Sequence, residues 1–130
     1  METTGKSRAV TIALWVVQIL LSITLLYAAW MKLFSDRDAL AAMWPWTADS
    51  PNLVKVTGVF DALGALGMII PGITRMSDRW TAAAGIGIVL LMICATTFHI
   101  SRGEAHLIGF NIVMAALGGF VAGGRWSKKI

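Results

Sequence analysis

Three stretches of the chain carry no charged residue: 9–31, 80–98 and 107–124. Each is close to the roughly 20 residues that an α-helix needs to cross about 30 Å of hydrocarbon. A fourth apolar stretch is interrupted by one acid, Asp61, and ends at Pro71-Gly72. The pattern predicts four helices, over about 10–34, 53–70, 80–100 and 106–123. Within the second, Thr57, Gly58, Asp61, Gly64, Ala65 and Met68 recur at i, i+3, i+4 and share one side. Val56, Val59, Phe60, Leu63, Leu66 and Ile70 fall mostly on the other. In water the bulky face would be the core face. In a bilayer the small face packs on neighbouring helices and the bulky face meets lipid.

Composition decides the solvent. Of 130 residues, 57% are hydrophobic and 14% charged, with a mean hydropathy of +0.73; soluble domains carry about 25% charged residues. The reading is an all-α membrane protein, an antiparallel bundle of four transmembrane helices forming one domain over 9–125, with short tails at 1–8 and 126–130. Lys6 and Arg8 before an apolar run look like the start of a signal peptide. The run is longer than an h-region, and no small-x-small cleavage site closes it, so a retained span is expected.

The net charge of +4 is informative through its placement. With both termini cytoplasmic, Lys6, Arg8, Arg75, Arg79, Arg125, Lys128 and Lys129 lie inside. Lys32, Arg37, Lys55 and Arg102 are left on the outer side, together with Asp36, Asp38, Asp49, Asp61 and Glu104. That asymmetry follows the positive-inside rule for a bacterial-type cytoplasmic membrane. The basic balance therefore calls for no nucleic-acid partner. The single cysteine, Cys94, is read as a small buried hydrophobe in the third span. With no second thiol there is no intrachain disulfide, which argues against thiol-pair redox chemistry.

The polar residues converge on one end. Lys32, Lys55, His99, Arg102, Glu104, His106 and Asn111 all belong to the outer third of the bundle. Asp61 lies about 10 Å below the outer end of its helix, at 1.5 Å per residue. The inner half holds only Gln18 and hydroxyls, and Arg125 closes the last helix in the inner interface. Between the first two spans, a short helix with Ser35 as its N-cap is expected, followed by Trp44-Pro45-Trp46, either an interfacial loop or a lid. In the last span, Asn111, Ala115, Gly118 and Ala122 share a face, and Gly119 and Gly123 stand at GxxxG spacing.

An acid within a span costs a few kcal/mol and should face the bundle with a partner. Lys32, His99 and Asn111 are the candidates. Asp61 is then either a polar latch fixing helix register or the centre of a ligand- or proton-binding cluster beneath Trp44 and Trp46. His99 and His106 match no strong metal spacing, so no metal site is assigned.

Gly58-x-x-Asp61-x-x-Gly64-x-x-Gly67-Met-x-x-Pro71 resembles the second-helix motif of the DoxX-like family of small four-helix membrane proteins. Lys32, the turn His99-x-x-Arg102-Gly103-Glu104, Asn111 and Gly123-Gly124-Arg125 fit the same pattern across residues 9–125. The chain departs from it with Asp61 in place of the usual Glu and Ala29 in place of the usual Gly. The resemblance implies an accessory role. Some relatives look like membrane subunits of sulfur-oxidising, quinone-reducing complexes or partners of oxidative-stress enzymes, and distant eukaryotic ones act as chaperones or cargo receptors.

The expectation is a protein that is not an enzyme on its own, needs no cofactor, and binds a quinone or lipid in an outer-leaflet pocket in support of a membrane redox partner. Asp61 would be acceptor or proton carrier, Lys32 its counter-charge, and His99 and Asn111 donors. Trp44 and Trp46 would form the cover, and Arg102 and Glu104 would order the outer turn. The alternatives are a scaffold or chaperone presenting small-residue faces, or a homo-oligomer built on them. A proton-coupled exporter ranks last, because small multidrug exporters carry their acid in the first helix.

Overall fold

The structure, a computed structural model, describes residues 7–126; the tail residues 1–6 and 127–130, with Lys6, Lys128 and Lys129, lie outside the described residues. Helix α1 spans Arg8–Phe34 and begins where the Ser7 hydroxyl accepts a hydrogen bond from the amide of Val10 at 3.1 Å, an N-cap. Two short helices follow, α2 (Arg37–Met43), capped by Asp36, and α3 (Trp46–Asp49). Helix α4 spans Pro51–Ile73, α5 Asp78–Ser101 and α6 Ile108–Trp126, the last preceded by a 3-10 turn at Ala105–Leu107. The four long helical segments are long and apolar enough to cross a membrane.

Each long helix carries buried residues at alternating steps of three and four. They are Leu14, Gln18, Leu21 and Leu25 on α1, and Val54, Gly58, Asp61, Ala65 and Met68 on α4. Thr81, Gly85, Ile88 and Met92 follow the same rhythm on α5, as do Asn111, Met114, Gly118, Val121 and Arg125 on α6. A repeat of 3.5 keeps one narrow seam facing the neighbours, the packing mode of antiparallel bundles. The helices form a closed ring in which α1 packs on α4, α4 on α5, α5 on α6, and α6 returns to α1. Antiparallel order shows in the pairings: Gln18 reaches Met68 while Ser22 reaches Ala65.

Leu21, Leu25, Ala65, Met68, Ile88, Met92, Met114 and Val121 make the core. Bulky side chains point outward all round, including Ile23 and Trp30 on α1, Phe60 and Leu63 on α4, Leu90 and Ile93 on α5, and Phe110 and Val113 on α6. An apolar exterior of this extent belongs in lipid, not water. The face of α4 that carries Asp61 is the inner one.

Three sequence expectations change. Helix α4 does not stop at Ile70: Pro71 is buried inside it, and the chain turns only at Arg75, whose φ of +62° is left-handed. The amide of Met76 closes that end on the Pro71 carbonyl at 2.8 Å, the long bond of a Schellman-type cap. A proline costs one helical hydrogen bond, and three-residue continuation is sustained because Pro71 packs into the seam. Cys94 is exposed on α5 rather than buried, because it lies off the Ile88–Met92 stripe. Arg125, placed by the sequence in the interface, is buried, since it falls on the α6 seam.

The glycines of α5 and α6 divide between two roles. Gly119 and Gly123 face outward, whereas Gly85 and Gly118 bring α5 and α6 together backbone to backbone. A Cβ added to Gly85 would lie 2.7 Å from the Gly118 carbonyl oxygen, but one added to Gly123 would meet nothing within 4 Å. Gly85→Val should therefore destabilise the bundle by about 3 kcal/mol, while Gly123→Val changes stability by less than about 0.5 kcal/mol. Unfolding of both variants in detergent micelles checks this; equal losses would contradict the observed crossing.

Candidate functional site

Lys32 stands in the last turn of α1, on the buried stripe that begins at Leu14, and Asp61 stands on the α4 stripe facing it. The ammonium lies 2.8 Å from Asp61 Oδ2, with the carboxylate side chain 3% exposed and the lysine 13%. Lys32 does not simply run out to water. Its ammonium is also 5.9 Å from the ring centre of Trp44 and 5.7 Å from that of Trp46, within cation–π range of both. The connection between α1 and α4 therefore folds back over the ion pair.

That connection is tied down on its far side. Arg102, in the turn between α5 and α6, donates to Asp49 Oδ2 at 2.9 Å and to Glu104 Oε1 at 3.1 Å. The same Glu104 oxygen lies 2.8 Å from His99 Nδ1, an imidazole N–H position. The edge of Trp46 packs on Phe98, with centroids 5.5 Å apart, and on His99 at 6.4 Å. Asp61, Lys32, Trp46, His99, Glu104, Arg102 and Asp49 thus form one continuous chain of contacts from α4 to the far turn. Hydrogen bonding from His99, then from Arg102, holds the Glu104 carboxyl below the usual carboxylate range. Glu104 and Asp49 in turn raise the Arg102 guanidinium.

Asn111 and His106 are not part of this chain. Asn111 is 6% exposed on the α6 seam, and its Nδ2 has no hydrogen-bond partner among the described residues. His106 is exposed in the 3-10 turn. Neither Asn111 nor His99 bonds to Asp61, whose partner is Lys32. The described residues bring no three of His, Cys, Asp and Glu together as metal ligands. What the site offers is a paired carboxylate, an ammonium with donors to spare, and aromatic faces.

Beside the ion pair opens a cleft of about 150 Å³. Lys32, Arg37 and Lys55 line it with the hydroxyl residues Ser35 and Thr47, and Leu40, Pro51 and Val54 form its apolar wall. Lys55 donates to the Leu33 carbonyl at 3.1 Å and reaches that of Lys32 at 3.5 Å. It thereby satisfies carbonyls that the end of α1 leaves open, where a cation also suits the helix dipole.

The sequence reading missed a second polar centre at the opposite end. Gln18 donates to the Met68 carbonyl at 2.7 Å and accepts from Arg125 Nε at 2.8 Å. The Arg125 guanidinium lies 5.5 Å from the Trp15 ring centre and 3.7 Å from Asp78 Oδ2. Three spans, α1, α4 and α6, meet through one glutamine. The available signal was spacing: Arg125 continues the 111, 114, 118, 121 rhythm.

A closed bundle of four apolar helices with a paired acid inside it defines an integral membrane protein of the small polytopic class. The chain belongs to the DoxX-like family, whose model matches residues 16–121. That match covers Lys32, Asp61, His99, Arg102, Glu104 and Asn111, and leaves Arg125 outside. No curated protein and no solved structure matches the chain.

Two outcomes follow from this geometry. Asp61→Asn leaves the Lys32 charge without its partner and should cost about 3 kcal/mol, whereas the double variant Lys32→Met with Asp61→Leu should recover most of that loss. Unfolding in micelles measures both, and a single variant as stable as the parent would show the pair to be energetically idle. Because Glu104 titrates below the usual carboxylate range in the folded protein, its bonds are fully present above that range and lost as pH falls through the lowered value. Tryptophan emission from the 44–46 segment should therefore change on acidification, and Glu104→Gln should abolish the change.

Proposed function

We propose that this DoxX-like protein is an accessory membrane subunit, not a catalyst on its own, that holds the polar head of a small amphiphile beside the Lys32–Asp61 pair. The amphiphile is a quinone or a lipid, and the binding supports a redox or oxidative-stress partner in the same membrane. The observation that carries this reading is an ammonium buried against a carboxylate, covered by two tryptophans, and open on one side to a cleft. A pair serving only as a latch needs neither the cover nor the opening. Asp61 orients Lys32, Lys32 donates to the head, and Trp44 and Trp46 shield the contact from water. With both termini cytoplasmic, as the distribution of Lys and Arg favours, the cleft lies in the outer leaflet of a bacterial-type cytoplasmic membrane.

A scaffold role is the second reading, favoured by the outward Gly119 and Gly123, which leave a shallow lipid-facing strip on α6 where another helix, or a second copy, can approach. The two readings separate cleanly. Native mass spectrometry of protein extracted gently from its own membrane should find a stoichiometric quinone or lipid. The Lys32→Met, Asp61→Leu double variant should fold and lose it, and Gly123→Leu should keep it. Retention of the ligand by the double variant would sink the pocket reading. A ligand-free protein that loses a co-purifying protein on Gly123→Leu would establish the scaffold instead.

A further inference from the structure

The cleft beside Lys32 has a charge that the ion pair does not account for. Three cations line it, Lys32, Arg37 and Lys55, and no carboxylate does. Asp61 offsets Lys32 from the buried side at 2.8 Å. Among the described residues Lys55 bonds only to the carbonyls of Lys32 and Leu33, at the end of α1. Arg37 is exposed and makes no ion pair among the described residues, and its sequence neighbour Asp36 is occupied in capping α2 through the amide of Ala39 at 2.7 Å. Asp36 and Asp38 flank Arg37 in the chain and keep their charge, but neither lines the cleft, so the side chains around this opening at the end of two membrane-spanning helices are cationic at Lys32, Arg37 and Lys55.

The size of the opening narrows the occupant. At about 150 Å³ it is below the roughly 300 Å³ at which a drug-sized ligand is enclosed, so it takes a head group and leaves the remainder outside. A quinone carbonyl is a neutral acceptor satisfied by one donor. A phosphate has several acceptor oxygens and a charge that matches the surplus, and a guanidinium with its fork of donors suits it. Leu40, Pro51 and Val54 give the cleft an apolar wall beside its cations. The end of α1 is also the depth at which phospholipid head groups lie.

We infer that this cleft binds a phosphate group, with Arg37 and Lys55 as its charge-bearing ligands and Lys32 as a third donor. The inference rests on the amphiphile reading above and specifies its chemistry. The phosphate can come from an anionic phospholipid or from free phosphate. The full-length protein, placed in nanodiscs of phosphatidylcholine containing a minor fraction of phosphatidylglycerol, is examined by native mass spectrometry. Retained phosphatidylglycerol is counted with and without inorganic phosphate or decylubiquinone as competitors.

Arg37→Gln should lower phosphatidylglycerol retention about tenfold, the effect of one lost hydrogen bond to a charged group, and Arg37→Lys should restore part of it. Arg75→Gln, at the other end of the bundle, should leave it unchanged, and thermal unfolding of each variant verifies that the fold is intact. Retention that inorganic phosphate leaves intact assigns the site to the lipid, and displacement by inorganic phosphate assigns it to the free anion; both support the inference. Equal losses in Arg37→Gln and Arg75→Gln would overturn it as mere surface attraction. Decylubiquinone bound equally by parent and Arg37→Gln, with no dependence on phosphate, would overturn the phosphate assignment yet leave the amphiphile reading standing. Absence of any bound molecule would end both.

Discussion

The ion pair between Lys32 and Asp61 is the contact on which the arrangement of this bundle turns. Hydrocarbon offers no hydrogen bonds, so a carboxylate carried inside a span must find its partner within the protein. Lysine is the residue that can meet that demand from the end of a neighbouring helix, because its flexible stem spans the gap while its head stays near the surface. Once the pair forms, α1 and α4 have one register. The bonds from Ser22 to the Ala65 carbonyl and from Gln18 to the Met68 carbonyl repeat that register further down. Three polar links along one helix interface exclude sliding by a turn, which apolar packing alone would tolerate.

The same pair organises the connection above it. A loop of tryptophans at a membrane surface would ordinarily lie flat against head groups. Here Trp44 and Trp46 turn inward because an ammonium with a desolvated surrounding attracts aromatic faces, and because Arg102 holds Asp49 from the other side. The α5–α6 turn thus reports on the α1–α4 interface through Trp46, although no residue of α5 or α6 bonds to Asp61 among those described. Substitutions in that distant turn act on the site by moving its cover.

At the opposite end, Arg125 performs for α6 what Lys32 performs for α4. It brings a cation onto the α6 seam and meets it with a glutamine, a tryptophan face and, at 3.7 Å, the Asp78 carboxylate. Between these two polar ends, α5 and α6 rely on close approach at Gly85 and Gly118, and dispersion contacts replace hydrogen bonds there. Polar links therefore secure α1 to α4 and to α6, while α5 is held by shape along its length and by the Asp78–Arg125 pair at its start.

The run lengths and the small-versus-bulky division of the Asp61 segment, read without any structure, establish four membrane helices, their lipid-facing sides and the need of Asp61 for an internal partner. Those properties follow from the solvent: apolar length selects the bilayer, and a helical period selects the stripe. Which of Lys32, His99 and Asn111 would meet Asp61 was not legible, because partner choice depends on the rotation of each helix about its axis, and packing against two neighbours sets that. The same reason governs the corrections. Cys94 turned outward, and Arg125 turned inward, by rotations that spacing hints at only when the whole seam is known. The cleft beside Lys32 belongs wholly to the tertiary structure, since Arg37 and Lys55 come from separate helices and become neighbours of Lys32 only when the 35–50 connection folds back over the end of α1.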